Sequence, residues 1–571
     1  MDKIEKWLND RLMWLHVFFV ILVVGMYWWA FASTNNYNDS IGDHNGWNVN
    51  NYTPVVTDWN TSNLVFDNTS DNAVTFGASD TVLSITSTSD YGGNMSFDGY
   101  TLYTLGSRLF DGTGTLDLGA GVYTKANSAT SHIGSGVGTV TATSCVVTWD
   151  GTDGVLDFDK LFETKQYVFG NSATVNITSS QEHRPRNNGI PLIFGNNVTI
   201  TGGGMFRAYR TTSGELHSTG SGCVLGCGLR FNTASAGINC EIPAITTSGV
   251  VSINTAEVNC TTKLTGNLSS GNAMEIYDAS IAGFVVNFNG YDITSSATFY
   301  PAMITVSSVL NFGSGTHTFK VFDGTLSSVG TCNFESATIN VNGDYKLATN
   351  QTVNPGTSTV NITNTSTIIS ANKKFHNLNI NASGKTVTGA DRIWADSVAV
   401  LAGTLALGGT GTDTLTKCRV LGTINTSGDT VHALSYDIDA GATLTKDTAS
   451  LWQVADGGIV RMGGKEFPYL NNLGTTTFWG NGSFAGFGMA TTGGDSARFE
   501  PAKKYTFLAK PIIRGSGLTR NAWVSHTATQ RDTIDFPAKD TLKNFYIRDQ
   551  IFLDTCYCKR ADTCLSGGGG Y

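Results

Sequence analysis

Charge is scarce in this chain. Only 14% of its 571 residues are Asp, Glu, Lys or Arg, against about a quarter in ordinary globular proteins. The formal net charge is −9, and no basic stripe, zinc-finger spacing or helix-turn-helix pattern stands out. A nucleic-acid partner is therefore not expected. Proline is also rare, at 10 residues, while glycine reaches 66. That balance argues against long soluble helices and for many short strands joined by tight turns. None of the 10 Cys forms a C-x-x-C pair, so a zinc site is not expected either. Cys145, Cys223, Cys227, Cys240, Cys260, Cys332 and Cys418 read as small buried hydrophobes. Cys556, Cys558 and Cys564 lie in a polar tail, where a disulfide is expected if the compartment is oxidising. The nine His are dispersed, and there is no HExxH, P-loop, GxGxxG or GxSxG motif.

What the chain does contain begins with one long apolar run, Leu12 to Ala32. As a helix it would span roughly 30 Å, one bilayer core. It reads as a membrane anchor or a signal sequence, the length favouring the anchor. Trp28 and Trp29 stand where an interfacial belt belongs, and Ala30-Phe31-Ala32 offers a cleavage site. Lys3, Lys6 and Arg11 precede the run, and no Lys or Arg follows it until Arg108. The positive-inside rule then places the N-terminus in the cytoplasm and the remaining chain outside.

Beyond residue 40 the pattern has period two. The stretches NSATVNITSS (171–180), NNVTITGGG (196–204) and FHNLNINAS (375–383) alternate apolar and polar residues between Gly, Asn and Ser turns, the signature of strands. An internal echo is visible too. FDGYTLYT (97–104) matches FNGYDITS (288–295), LDLGAGVYT (116–124) matches LNFGSGTHT (310–318), and GTLALGGTGT (403–412) is a third variant. Short strands repeated with drift predict an all-β, elongated, right-handed parallel β-solenoid, each coil burying its inner face on the next. A row of β-sandwiches is the alternative. The expected organisation is a basic cytoplasmic flank (1–11), anchor or signal (12–32), linker (33–60), solenoid repeats (61–495) and a strand-rich capping module with a Cys/Gly-rich tail (496–571).

The stretch 497–549, ARFEPAKKYTFLAKPIIRGSGLTRNAWVSHTATQRDTIDFPAKDTLKNFYIRD, resembles the terminal module of repetitive β-strand surface proteins of bacteria and phages. Phe499, Lys504, Tyr505 and Phe507 match its first strand. Ser525 and Thr527 match its second, and Phe545, Ile547 and Asp549 its third, with SGGGGY (566–571) at the close. Gln550 stands where those proteins usually carry Ser, and a Cys-bearing insert replaces a short polar tract. NLVFDNTS (63–70) and FDGYTL (97–102) resemble their opening strands. The resemblance implies a β-solenoid on a cell or virion surface, with adhesins and phage fibres or spikes as the associated roles. It implies no particular catalytic residues.

For chemistry, the richest acidic stretch is TWDGTDGVLDFDKLFE (148–163). Asp157 and Asp159, two apart on a strand, would face one side at a spacing near that of glycoside-hydrolase carboxylates. Asp150 and Asp153 are candidates for Ca²⁺, which favours several oxygen ligands; no other cofactor is expected. Plain turn chemistry is the favoured reading of the same acids. Asp437 and Asp439 form a second acidic pair. Trp149 is a candidate sugar-stacking ring. In FPYLNNLGTTTFWGNGSFAGFG (467–488) most aromatics are expected in the core, with Tyr469 and Trp479 exposed as ligand-binding candidates. The leading reading is a non-enzymatic surface adhesin or receptor-binding fibre for a glycan or cell-surface receptor, with a homotrimer left open. A tail-spike-like polysaccharide depolymerase and a purely architectural spacer or surface-layer protein are the alternatives.

Overall fold

A computed structural model describes residues 33–37 and 52–53, most of 62–119, segments of 121–258, nearly all of 259–489 and segments of 496–567. The run 12–32 lies outside the described residues. Among the described residues there is no helix, and none is long and apolar enough to cross a membrane. The chain divides into two compact units, Met1–Ala256 and Glu257–Tyr571.

Each unit is a parallel β-solenoid. In the first, Gly121–Thr124 pairs in parallel with Thr101–Thr104 before it and Val146–Trp149 after it. In the second, Thr338–Val341 pairs with Thr316–Asp323 and Thr359–Ile362 in the same way. A parallel partner can be reached only by a full return of the chain, so every such pairing closes one coil. Coil length is uneven, from 16 residues between Asp540 and Cys556 to 29 between Lys504 and Thr533.

The internal echo is a shared corner. In FNGY the amide of Tyr291 donates to the carbonyl of Phe288 at 2.9 Å, and in FDGY that of Tyr100 donates to Phe97 at 2.7 Å. Asn289 (φ 54°) and Gly290 (φ 79°) both adopt the left-handed region. Asn, Asp and Gly tolerate that conformation best, which is why an Asx-Gly dipeptide suits this corner. The corner turns the Phe inward. Phe288, Phe312 and Phe334 occupy the same place on three successive coils, edge to face, with ring centres 5.1 Å apart at each step. Such contacts are worth roughly 0.5–1.5 kcal/mol each beyond the area they bury.

Asn311 and Asn333, each just before a Phe, stack from coil to coil, and Asn354 extends the column. Asn333 donates to Asn311, and Asn354 to Asn333, both at 2.7 Å. A second ladder runs through Asn340, Asn361 and Asn379 at 2.8 and 2.9 Å. A side-chain amide is both donor and acceptor, so an Asn column can bond to itself from coil to coil as the backbone does.

The stacking continues past residue 495. Ser496–Phe499 pairs with Thr475–Trp479 and with Asn521–Ser525. Phe499, Tyr505 and Phe507 are buried, and the Tyr505 hydroxyl donates to the Phe478 carbonyl at 3.1 Å. Cys227, Cys260, Cys332 and Cys418 are buried, as expected, and Cys223 is half-buried. Burial pushes the Cys227 and Cys418 thiols up to about 12, so they are inert. The side chains of Cys556, Cys558 and Cys564 lie outside the described residues.

Candidate functional site

Strand alternation fixes which side chains leave the solenoid. Cys418 and Val420, Tyr436 and Ile438, Val460 and Met462, and Phe478 are all buried. The residues between or beside them, Arg419, Asp437, Arg461 and Trp479, therefore point outward. They are also in register: Arg419 pairs with Asp437, Asp437 with Arg461, and Arg461 with Trp479 on successive coils. At the spacing of paired strands, these four side chains form one outer column roughly 14 Å long.

The column lines an open cavity of about 340 Å³, together with Leu421, Asp439, Gly463 and Gly480. The cavity opens beside a corner where glycine is needed. Gly463 has φ 56°, and a Cβ there would meet the Ile438 carbonyl oxygen at 2.2 Å. The Gly480 amide donates to the Glu500 carboxylate at 2.6 Å, which holds the chain just after Trp479.

The charges in the column are solvated. Arg419 Nε lies 3.9 Å from Asp437 Oδ2, with the side chains 58% and 49% exposed. A pair this exposed contributes little to stability, so its groups remain accessible to a ligand. With Arg461 the column carries two cations and one anion. Asp439 stands past the end of strand Thr430–Ile438, and its carboxylate accepts the Gly441 amide at 2.8 Å. The second acidic pair is thus one groove-facing column residue and one turn cap, not two neighbours on a strand face.

Other candidates fall differently. Trp149 is 1% exposed. This corrects its assignment as a sugar-stacking ring: it shares strand parity with buried Val147, so the indole faces the core. Asp157 lies in strand Gly154–Phe158, in register with His132 on the preceding coil. The side chain of Asp157 and the whole of Asp150, Asp153 and Asp159 lie outside the described residues. Tyr469 and Trp479 are half-buried, while Phe467, Phe478, Phe484 and Phe487 are in the core. Among the described residues no group of three or more His, Cys, Asp or Glu side chains is placed to hold a metal ion.

Many acids serve as cross-coil caps. Asp292, Asp344 and Asp456 accept the amides of Thr316, Thr367 and Thr475 on the next coil at 2.7–2.9 Å. Asp413 is different. It is buried, with Oδ1 accepting the Ile393 amide at 2.7 Å and Oδ2 unpartnered. Burial, reinforced by Asp429, pushes its carboxyl up to about 7, against the opposing Ile393 amide and Arg392 charge.

Sequence reasoning singled out Trp479 but missed Arg419 and Arg461. Uneven coil lengths separate them in sequence, and only the strand register brings them together. Comparison with protein-family models, with curated proteins and with solved structures returned no match.

Proposed function

We propose that this protein is a surface-displayed, non-enzymatic β-solenoid of the adhesin or receptor-binding fibre kind. It binds a glycan in the Arg419–Asp437–Arg461–Trp479 groove. The observation that carries the reading is the in-register outer column lining one open cavity. A sugar needs an aromatic face for its C–H surface, and charged donors and acceptors for its hydroxyls. Trp479, the two guanidiniums and the Asp437 carboxylate supply that set along one line. The repeat favours an extended ligand lying along the column. A right-handed coil sense, and tethering through residues 12–32 with the solenoid outside the cell or on a virion, belong to the same proposal.

A glycan array probed with residues 40–571 tests it. Binding to a defined set of oligosaccharides is the expected result; no binding to any glycan or cell surface would overturn it. Self-assembly without any ligand would instead favour the architectural reading, which the Asn ladders and continuous stacking also support.

A further inference from the structure

A second outer face surrounds Trp394. The ring is 40% exposed, although Ile393 and Ala395 on either side are buried. Lys374 is its register partner on the preceding coil, with Nζ 5.9 Å from the ring centre. The Arg392 guanidinium lies 5.7 Å from the same ring. Thr414, the register partner on the following coil, accepts from Arg392 Nη2 at 2.7 Å. Two cations and a threonine hydroxyl therefore fix one solvent-facing indole, an arrangement stabilised by cation–π attraction.

The local acids already have partners. Asp396 accepts Lys374 at 2.6 Å and His376 at 3.1 Å. The Lys374 ammonium first, then the His376 ring, hold its carboxyl below the usual range. Asp391 accepts the amides of Ser370 and Ala371 at 2.8 and 2.6 Å. Arg392 has no carboxylate in ion-pair contact among the described residues; its Nε is buried without a hydrogen-bond partner, which leaves the terminal nitrogens to meet a ligand, and its charge reaches the buried Asp413 only at longer range.

We propose that Trp394, Arg392 and Lys374 form a second ligand site, which takes a sugar residue bearing an anionic group, a carboxylate or a sulfate. The sugar ring lies on the exposed indole and the anion meets the Arg392 guanidinium. Lys374 is shared between Asp396 and the ligand, since an ion pair one-third exposed is weak enough to be exchanged. A planar guanidinium matches the geometry of a carboxylate or sulfate. The site shares with the Trp479 groove only the premise that the chain binds glycans, and it stands or falls separately.

Calorimetric titration of the full chain tests it with three probes of similar length: an oligogalacturonate, a heparin-derived sulfated oligosaccharide and a neutral cello-oligosaccharide. The expected result is preferential binding of an acidic probe, weakened tenfold or more by Trp394→Ala and by Arg392→Gln. Binding of the uronate, the sulfated probe or both supports the site and identifies its anion. Lys417→Gln controls for diffuse charge, because Lys417 is exposed on the neighbouring strand. The proposal is overturned if neither acidic probe outbinds the neutral one. It is equally overturned if Lys417→Gln costs as much as Arg392→Gln, or if Trp394→Ala and Arg392→Gln bind like the parent chain. Loss in Trp479→Ala alone would leave the groove standing and remove this site.

Discussion

Arg461 and Trp479 are register partners on successive coils. Backbone pairing thus sets the Cα atoms of an arginine and a tryptophan about 4.8 Å apart along the stack. Asp437 precedes Arg461 by one coil and Arg419 precedes it by two. No local motif specifies this grouping. It exists because each residue occupies an outward position at the same place in its own coil.

The column should therefore matter to binding far more than to folding. Asp437→Asn removes the only carboxylate of the column, facing Arg419 at 3.9 Å. Exposed pairs of this kind contribute about 0.2–1 kcal/mol, so the melting temperature should barely move. Glycan affinity should fall severalfold in titration, since a charged acceptor for sugar hydroxyls is lost. A large stability loss with unchanged affinity would reverse that assignment.

The asparagine ladder makes the opposite prediction. Asn361 donates to Asn340 and accepts from Asn379. Asn361→Ala breaks both bonds and should destabilise by about 1–3 kcal/mol, with two half-buried amides losing partners. Denaturant unfolding of the variant measures this, and no change in midpoint would show that the ladder is incidental.

Two glycines separate backbone conformation from close approach. Gly384 (φ 67°) has nothing within 4 Å of a built Cβ, whereas at Gly403 (φ 80°) a Cβ would sit 2.0 Å from the Ala382 carbonyl oxygen. Gly384→Ala should cost about 1–2 kcal/mol from left-handed strain alone. Gly403→Ala should cost clearly more, because two coils must part. Equal losses in denaturant unfolding would contradict this packing.

Much of the fold is legible in the sequence, because period-two alternation and a Phe-Asx-Gly-Tyr corner are both local. The Phe288 and Phe97 corners explain the echo physically, and the drift between its halves follows from coils that differ in length. Trp149 marks a limit of local composition: it is followed by acids in sequence, yet its parity with Val147 puts the indole in the core. The groove and the Trp394 face were illegible for another reason. Lys374, Trp394 and Thr414, like Arg419, Asp437, Arg461 and Trp479, meet only through register across coils.

Buried Asp413 predicts a pH signature. Its folded value, about 7, lies above the 3.8 of an ordinary Asp. The native state then holds this proton more tightly than the unfolded chain does. The resulting stability is fully present below about pH 4 and is lost as pH rises through about 7. Asp413→Asn keeps an oxygen for the Ile393 amide and removes the charge. Its melting temperature should match the parent at pH 4 and exceed it at pH 8. His317 works in the other direction: burial among Phe288, Phe312 and Phe319 lowers it to about 4. Stability from His317 is present above about pH 6.5 and is lost as pH falls through about 4. The difference between variant and parent isolates Asp413, and parallel pH curves would refute its raised value.

The most direct test of the central claim is calorimetric titration of the best-binding array glycan into the parent chain and into Trp479→Ala, with circular dichroism melts of both. Losing a stacking indole from a binding groove should cost about 2 kcal/mol or more, a weakening beyond tenfold, with the melt unchanged. Equal affinity of the two chains would contradict the assignment of the Arg419–Asp437–Arg461–Trp479 groove as the glycan site.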